Sequence, residues 1–576
     1  MDAIDLEVTY QATLQIAREL TLNMLRTGYS TIIKESQDFT FVICDGAGRM
    51  VAQGIPQPLH IGPLAAQVGE VRRVFAGRIE EGDAFIVNHP YRACQNHATD
   101  VTVVSPLFDE ARIVGFIGNI AHKPDLGGKV PGTNSGDATD LFQEGLLIPP
   151  LKLVRGGVLN EDLREMICAN TRTPETTWGD IGAQLNTNRY GERKFAELFS
   201  KYGTDTVLAC WTEWMAICER ELRREIAKIP DGRWGPETDW LDDDGVERDK
   251  PHRISVSLEK IGDTLHFILD SDAEARGPIN LRPCVSRNFI ECCVKMVFGP
   301  DLPVNDGLSR PVRITYPPEG SLLNPRFPAP VNMYVRPSQV TTSLVVRALG
   351  RAVPGRVPAP GSAGGGSIST AGRNPRTGRW YSHYEINNGG SGARPDGDGV
   401  SAMDELVVNV MNTPVEAVET EFPVRVERYA LVPDSAGPGR FRGGLGTRRD
   451  WRILAEESIM NIRSDRFKFS SPGVHGAKPA RPSRARLNPG TAAERALASK
   501  EAGLRLKRGD LLSWELAGGG GWGDPRTRDP VRVRADVVAG YVSLEAARRD
   551  YGVALILPDL AIDADETRRL RAEQVP

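Results

Sequence analysis

Residues 97–122 read HATDVTVVSPLFDEARIVGFIGNIAH. Two β-rich runs flank the polar pair Asp109 and Glu110, the pattern of a β-hairpin. With that pair as the turn, His97 and His122 are direct cross-strand partners, their Cβ atoms roughly 4.5–5.5 Å apart. Two imidazoles that close suit a metal ion. The reading depends on register, because a slip of one residue turns one ring to the other face. Asp100 stands at an odd offset from His97, so a regular strand aims it away. A loop or bulge at Ala98 and Thr99 is needed to bring it back. Each of these residues also has an ordinary reading as a hydrogen-bonded group near a strand end. Against that stands clustering: His60, His89, His97 and His122 make up half of the chain's 8 histidines.

Outward from the hairpin, residues 5–33 read as a long helix, with Leu14, Ala17, Leu20 and Met24 at helical spacing. A strand follows over 38–44, and a turn at Asp45-Gly46-Ala-Gly48. Pro63 is well placed to open a helix that runs to Phe75. Residues 126–140 form a glycine-rich loop, long enough and polar enough to suggest a functional one. A helix over 160–170 and a polar, partly helical stretch come next. Residues 205–229 form an amphipathic helix whose stripe (Val207, Trp211, Met215, Cys218, Leu222, Ile226) faces a core. It stops at Pro230-Asp-Gly232. Beyond Trp234 come strands at 254–256 and 264–269, a helix at 289–298, and a Pro/Gly/Ser-rich segment containing GSAGGGSIST. That segment suits either an anion cradle or a flexible loop. The last third is rich in strands and turns, including a turn at Gly518–Gly521, and Ser543 can cap a helix that ends before Gly552. The expected class is α+β, multidomain, with abundant antiparallel strand. Three units are expected: 1–232 bearing the metal candidates, a middle α/β unit at 233–430, and a β-rich region at 431–576.

Composition narrows the function. A net charge of −4 gives no drive towards nucleic acid or anionic membrane. No stretch approaches the ~18 apolar residues of a membrane helix, and MDAIDLEVTY is not a signal peptide, so a cytosolic protein is expected. GxxxxGK[ST] does not occur, which excludes a P-loop nucleotide site. The 8 cysteines form no CxxC pair and read mostly as buried thiols; Cys94, close to His97, is a candidate soft ligand or pocket wall.

Several motifs together carry a resemblance. They are Leu25-Arg-Thr-Gly-Tyr-Ser30 with Lys34-Glu-Ser-Gln-Asp38-Phe39, Asn88-His-Pro-Tyr91, His97-x-x-Asp100-Val-Thr, and Ala121-His122 with Asp125-Leu-Gly-Gly128. Phe142-Gln-Glu144-Gly145 with Ile148-Pro-Pro150 follows, then Gly389-Gly-Ser-Gly-Ala-Arg394, Asn412-Thr-Pro-Val-Glu416, Phe441-Arg-Gly-Gly-Leu-Gly446, and Gly518 to Gly523 with Asp524-Pro525. The chain resembles, nearly end to end, the hydantoinase B/oxoprolinase family of B-type amidohydrolase subunits. The resemblance implies a divalent metal held by Asp38, His97, Asp100 and His122. This harder N/O set suits manganese, zinc or iron. It also implies an A-type partner subunit that binds ATP-Mg and phosphorylates an oxygen of the unreactive amide. The function it implies is ATP-dependent opening of a cyclic amide (hydantoin, 5-oxoproline or a lactam) by a hetero-oligomer. A ketone carboxylase subunit, similar to acetone and acetophenone carboxylases, is the alternative, and a scaffold with a structural metal is another.

Glu144 and Asp125 are candidates for a general base or for groups that orient a ligand; helix-start or turn carboxylates are the plain reading of each. His60 reads as pocket lining or as a satisfied core histidine, and Arg394 as an anion contact or a surface ion pair. The chain departs from the family pattern at Arg92-Ala-Cys-Gln-Asn96, at Lys123-Pro124 after His122, at Ser36-Gln37 after Glu35, and at Met403-Asp404-Glu405. These departures bear on the substrate more than on the metal.

Overall fold

The computed structural model describes residues 2–54, 57–403 and 406–572; Asp404 and Glu405 lie outside the described residues. The architecture is α+β, with several antiparallel sheets and multiple domains.

The N-terminal helix Ala3–Thr27 is capped by the Asp2 carboxylate. It buries Tyr10, Thr13, Ala17, Leu20 and Met24, one face at 3.6-residue spacing. It ends earlier than periodicity suggests. Asp180 accepts hydrogen bonds from the backbone N–H of Tyr29 (2.8 Å) and Ser30 (3.1 Å), which fixes a break before the short helix Thr31–Lys34.

The first sheet has seven strands, all antiparallel, in the order Met50–Gln53, Phe39–Asp45, Arg112–His122, Asp100–Asp109, Ala84–Val87, Leu151–Arg155, Val158–Leu159. Alternation divides its faces. Phe39, Phe41 and Ile43 pack with the first helix and with Trp211, while Val42 and Cys44 pack with Leu64 and Val68 of the helix Ile61–Val74 on the other side. Each fully buried large side chain of this kind contributes about 1.5–3 kcal/mol. The stretch that reads as polar and only partly helical is a continuous helix, Pro174–Tyr202. Its polar side chains work as sheet glue: Gln184 donates to the carbonyls of Val101 and Asn119.

The hairpin exists, but its register differs from the expected one. His122 pairs with Asp100, not with His97, and the ladder shifts between Leu107 and Phe108. The turn falls at Glu110 and Ala111, with Glu110 in the left-handed region (φ 51°). His97 lies before the strand, in the loop-and-turn segment that Asp100 requires.

A second sheet, Val312–Thr315, Thr264–Ser271, His252–Ile261, Gly232–Leu241, packs against the helices Pro283–Phe298 and Val335–Ala352. A third has the order Trp380–Asn387, Gly366–Arg373, Glu457–Arg463, Lys500–Lys507, and a fourth holds five strands between Val424 and Glu515. The third sheet draws strands from both sides of the boundary expected near 430. Gly518–Gly521 is not a turn. It runs extended beside two other glycine segments, with Gly519 N–H on the Gly444 carbonyl (2.9 Å) and Gly390 N–H on that of Ala517 (3.2 Å). A Cβ on Gly519 would strike the Ser391 backbone, so this motif is a backbone-on-backbone joint.

The cysteines are not all free thiols. Cys94 and Cys284 are joined in a disulfide with Cα atoms 6.1 Å apart. It ties the loop before His97 to the start of the Pro283–Phe298 helix and removes Cys94 as a metal ligand. Among the described residues no helix is long and apolar enough to cross a membrane.

Candidate metal centre

Three neighbouring strands of the first sheet end together. Asp38 immediately precedes Phe39–Asp45, Asp100 opens its strand, and His122 closes the next. The His122 N–H bonds the Asp38 carbonyl (3.0 Å), so sheet pairing itself brings Asp38, His122 and Asp100 side by side. His97 comes over the top from its turn, and its ring centroid lies 5.1 Å from that of His122.

Asp100 is the hub. Its Oδ1 lies 3.0 Å from His97 Nε2 and 2.9 Å from His122 Nδ1. Among the described residues, His97, Asp100 and His122 are the His/Cys/Asp/Glu group whose donor atoms all fall within 4.8 Å of one another, and all three are buried. His97 Nδ1 faces two acceptors, the Asn332 carbonyl (3.2 Å) and Asn332 Oδ1 (2.8 Å). The amide orientation is fixed because Asn332 Nδ2 donates to the Thr133 carbonyl (2.5 Å). Nδ1 therefore donates to Asn332, and Nε2 faces both Asp100 Oδ1 (3.0 Å) and the Thr99 hydroxyl (3.0 Å). A ring nitrogen that close to a carboxylate oxygen, away from water, calls for a positive charge between them, which a proton or a bound cation supplies. Donors about 2.1 Å from one ion and at right angles also stand roughly 3 Å apart. The residues fit a divalent ion. Burial raises the Asp100 carboxyl, but the facing His97, His60 and His122 outweigh it and hold it well below the usual carboxylate range. Burial lowers His122 below its ordinary value, which favours the neutral, ligating form.

Asp38 lines the same cavity, with its Oδ1 on His60 Nε2 at 3.0 Å. His60 is completed by Asn96, whose Nδ2 donates to His60 Nδ1 (2.8 Å) and also reaches Asp100 Oδ2 (3.3 Å). His60 thus lines the cavity and is also satisfied.

Glu144 and Asp125 do not line the cavity. Asp125 organises the glycine-rich loop, accepting from the N–H of Gly127 and Gly132 (both 2.9 Å) and pairing with Arg172 (3.0 Å). Glu144 stands one residue behind the wall. Its Oε1 accepts the Asn332 N–H (2.7 Å), its Oε2 has no partner, and burial pushes its carboxyl up to about 8. Arg394 is exposed beside Asp396 and lies elsewhere. GSAGGGSIST is not simply a flexible loop. Its end enters the strand Gly366–Arg373, and Gly366 and Ser367 form part of the cavity wall.

The remaining wall comes from far along the chain: Asn332, Tyr334, Tyr384 and Arg463, with Leu59, Val408 and Val410 adding apolar surface around about 50 Å³. Tyr384 stacks on His122 (4.7 Å) and Tyr334 meets His97 edge-on (5.1 Å). These four polar residues lie outside the family motifs, and nothing in local spacing marks them.

The hydantoinase B/oxoprolinase family model matches residues 2–525. A putative D-/L-hydantoinase B-type chain from a Pseudomonas species is 30% identical over 99% of this chain and 98% of its own length. The solved ATP-dependent caprolactamase from Pseudomonas jessenii superposes with a TM-score of 0.92 at 30% identity, covering 100% of both chains. A nucleotide-free acetone carboxylase structure shares the fold, with a TM-score of 0.90 at 18% identity over 100% of this chain and 84% of that one.

Proposed function

This chain belongs to the hydantoinase B/oxoprolinase family, and from that premise we propose that it is the metal-bearing B-type subunit of an ATP-dependent cyclic-amide hydrolase. The observation that carries this reading is the convergence of His97 Nε2 and His122 Nδ1 on Asp100 Oδ1, at 3.0 and 2.9 Å, in a buried cavity. His97, Asp100 and His122 are the proposed ligands, and Asp38, held beside them by His60, is the fourth. A divalent ion there supplies Lewis acidity towards a carbonyl or phosphorylated oxygen.

The chain's own residues do the rest. Asn332 fixes the His97 tautomer, and Asp100 sets the directions of both imidazoles. Asp38 and Asn96 together fix His60. Leu59, Val408 and Val410 exclude water, which strengthens every charge interaction inside. At about 50 Å³ the space holds roughly four water-sized groups, which suits the reacting end of a small molecule and not a polymer. Glu144 and Asp125 act as supports in this scheme, Glu144 through Asn332 and Asp125 through the loop whose Thr133 carbonyl holds that asparagine. An amide needs activation at neutral pH. An A-type partner that binds ATP-Mg is the proposed source, consistent with relatives named as one of a hydantoinase's subunits and as an ATP-dependent caprolactamase.

The test is reconstitution with an A-type partner. The wild-type complex should bind about one equivalent of manganese, zinc or iron and open a lactam or hydantoin with ATP consumption. His122→Ala should lose turnover and metal while the complex still assembles. Loss of assembly instead supports a structural metal in a scaffold, and labelled bicarbonate entering product from a ketone supports a carboxylase.

A further inference from the structure

We propose that the same cavity contains an oxyanion subsite built on Arg463, one that takes a carboxylate or phosphoryl group; this rests on reading the cavity as the reaction site. Arg463 is 7% exposed and lines the cavity. Its Nε donates to Ser367 Oγ (3.1 Å), its Nη1 to the Asn332 carbonyl (2.9 Å) and Asn332 Oδ1 (2.7 Å), and its Nη2 to the Tyr384 hydroxyl (3.0 Å). Every one of these acceptors is neutral. A guanidinium has five N–H groups, so these bonds leave one Nη2 hydrogen over.

Buried charges are normally paired. Arg449, Arg466 and Arg528 are at least as buried, and each meets a carboxylate: Glu385 (2.7 Å), Asp239 (2.8 Å) and Asp398 (2.6 Å) respectively; Arg282, also buried, meets the Gln95 carbonyl and the Tyr91 ring instead, but does not line this cavity. Arg463 has no such partner among the described residues. Glu144 lies behind Asn332, bonded to its N–H and not to Arg463, and burial pushes its carboxyl up to about 8.

Two further features agree. His122 Nε2 is buried without a partner. The first residues of the Val335–Ala352 helix, Val335 and Arg336, also line the cavity and bring the positive end of the helix dipole to it. A space for roughly four water-sized groups is the size of one small oxyanion. Arg463 also touches the partner of each imidazole, Asn332 behind His97 and Tyr384 stacked on His122. An anion bound there sits where the ligand geometry is set. The substrate would thus present an oxyanion of its own, either a ring carboxylate or a phosphoryl group added to its oxygen.

The test is calorimetric titration of the full chain with inorganic phosphate and with acetate, metal-loaded and chelated, with metal content measured on each sample. Wild type should bind one anion saturably at millimolar or tighter, and more weakly at high salt. R463M should bind at least ten-fold more weakly at unchanged metal content, and R463K should recover most of the loss. Preference for phosphate points to a phosphoryl source; preference for acetate points to a carboxylate. Absence of saturable binding in wild type, or equal binding by R463M, overturns the subsite. If R463M does not fold, the wild-type titration and R463K decide. A wild type that holds no metal yet binds phosphate through Arg463 sinks the metal reading and leaves the subsite standing.

Discussion

Glu144→Gln tests, in numbers, the wall that supports His97. The Glu144 carboxyl is buried, with one oxygen on the Asn332 N–H and the other unpartnered. Burial pushes it up to about 8, against the pull of the Asn332 and Val331 backbone and of Arg463. In the unfolded chain a glutamate ionises near 4.3. Between those values the folded chain keeps a proton that the unfolded chain has released. Stability from this group therefore falls as pH rises through that window and levels off above about 8. From pH 5 to pH 8 the change is three units at about 1.4 kcal/mol each, on the order of 4 kcal/mol. E144Q has no such slope. Its new amide adds a pH-independent offset of about 1–3 kcal/mol where Oε2 stood, which leaves the slope alone. Urea unfolding of chelated protein across this range should show the two stabilities converging and then crossing in favour of E144Q. Difference infrared spectra should show a protonated-carboxyl band in wild type that disappears with a midpoint near 8 and is missing in E144Q. Parallel pH profiles, or no such band at pH 7, would refute the reasoning.

Asn332→Ala should weaken divalent-metal binding about 10–100-fold, as removal of a ligand's outer partner does, whereas Asn332→Asp should retain it; chelator competition measures both. Cys284→Ser should lower stability without reductant by as much as about 5 kcal/mol, the chain-entropy value for a crosslink spanning 190 residues. With reductant, wild type and C284S should unfold at the same denaturant concentration; a difference that persists shows that the cysteine packs and does not crosslink.

Most elements of the fold were legible in the sequence because amphipathic periodicity is a local signal. The Val207-to-Ile226 stripe is a core-facing helix as read. The signal failed where a polar side chain does long-range work. Gln184 and Asn188 make the Pro174–Tyr202 helix look too polar to be buried, yet both are spent on strand groups over 60 residues away in the chain. The break after Thr27 was hidden for the same reason, since it depends on Asp180. Cys94 and Cys284 pair across 190 residues, and no spacing rule reaches that far.

The site illustrates why a wrong register still led to the right neighbourhood. Hairpin pairing was expected to set His97 against His122, yet the ladder gives His122 to Asp100. The two rings nonetheless lie 5.1 Å apart, because the turn at Ala98 and Thr99 folds His97 back over the strand end. A hairpin confines both its flanks to one edge of the sheet whatever its register, so a cluster of histidines flanking a turn survives a shift of the ladder. What the hairpin could not reveal is the opposite wall. Asn332 comes from the turn before the Val335–Ala352 helix, Tyr384 and Arg463 from two strands of the third sheet, and they meet around the cavity at the end of the first. In one dimension Arg463 is merely a basic residue at the end of an alternating strand. Its burial among neutral acceptors on the cavity wall marks it as a charge set aside for a ligand.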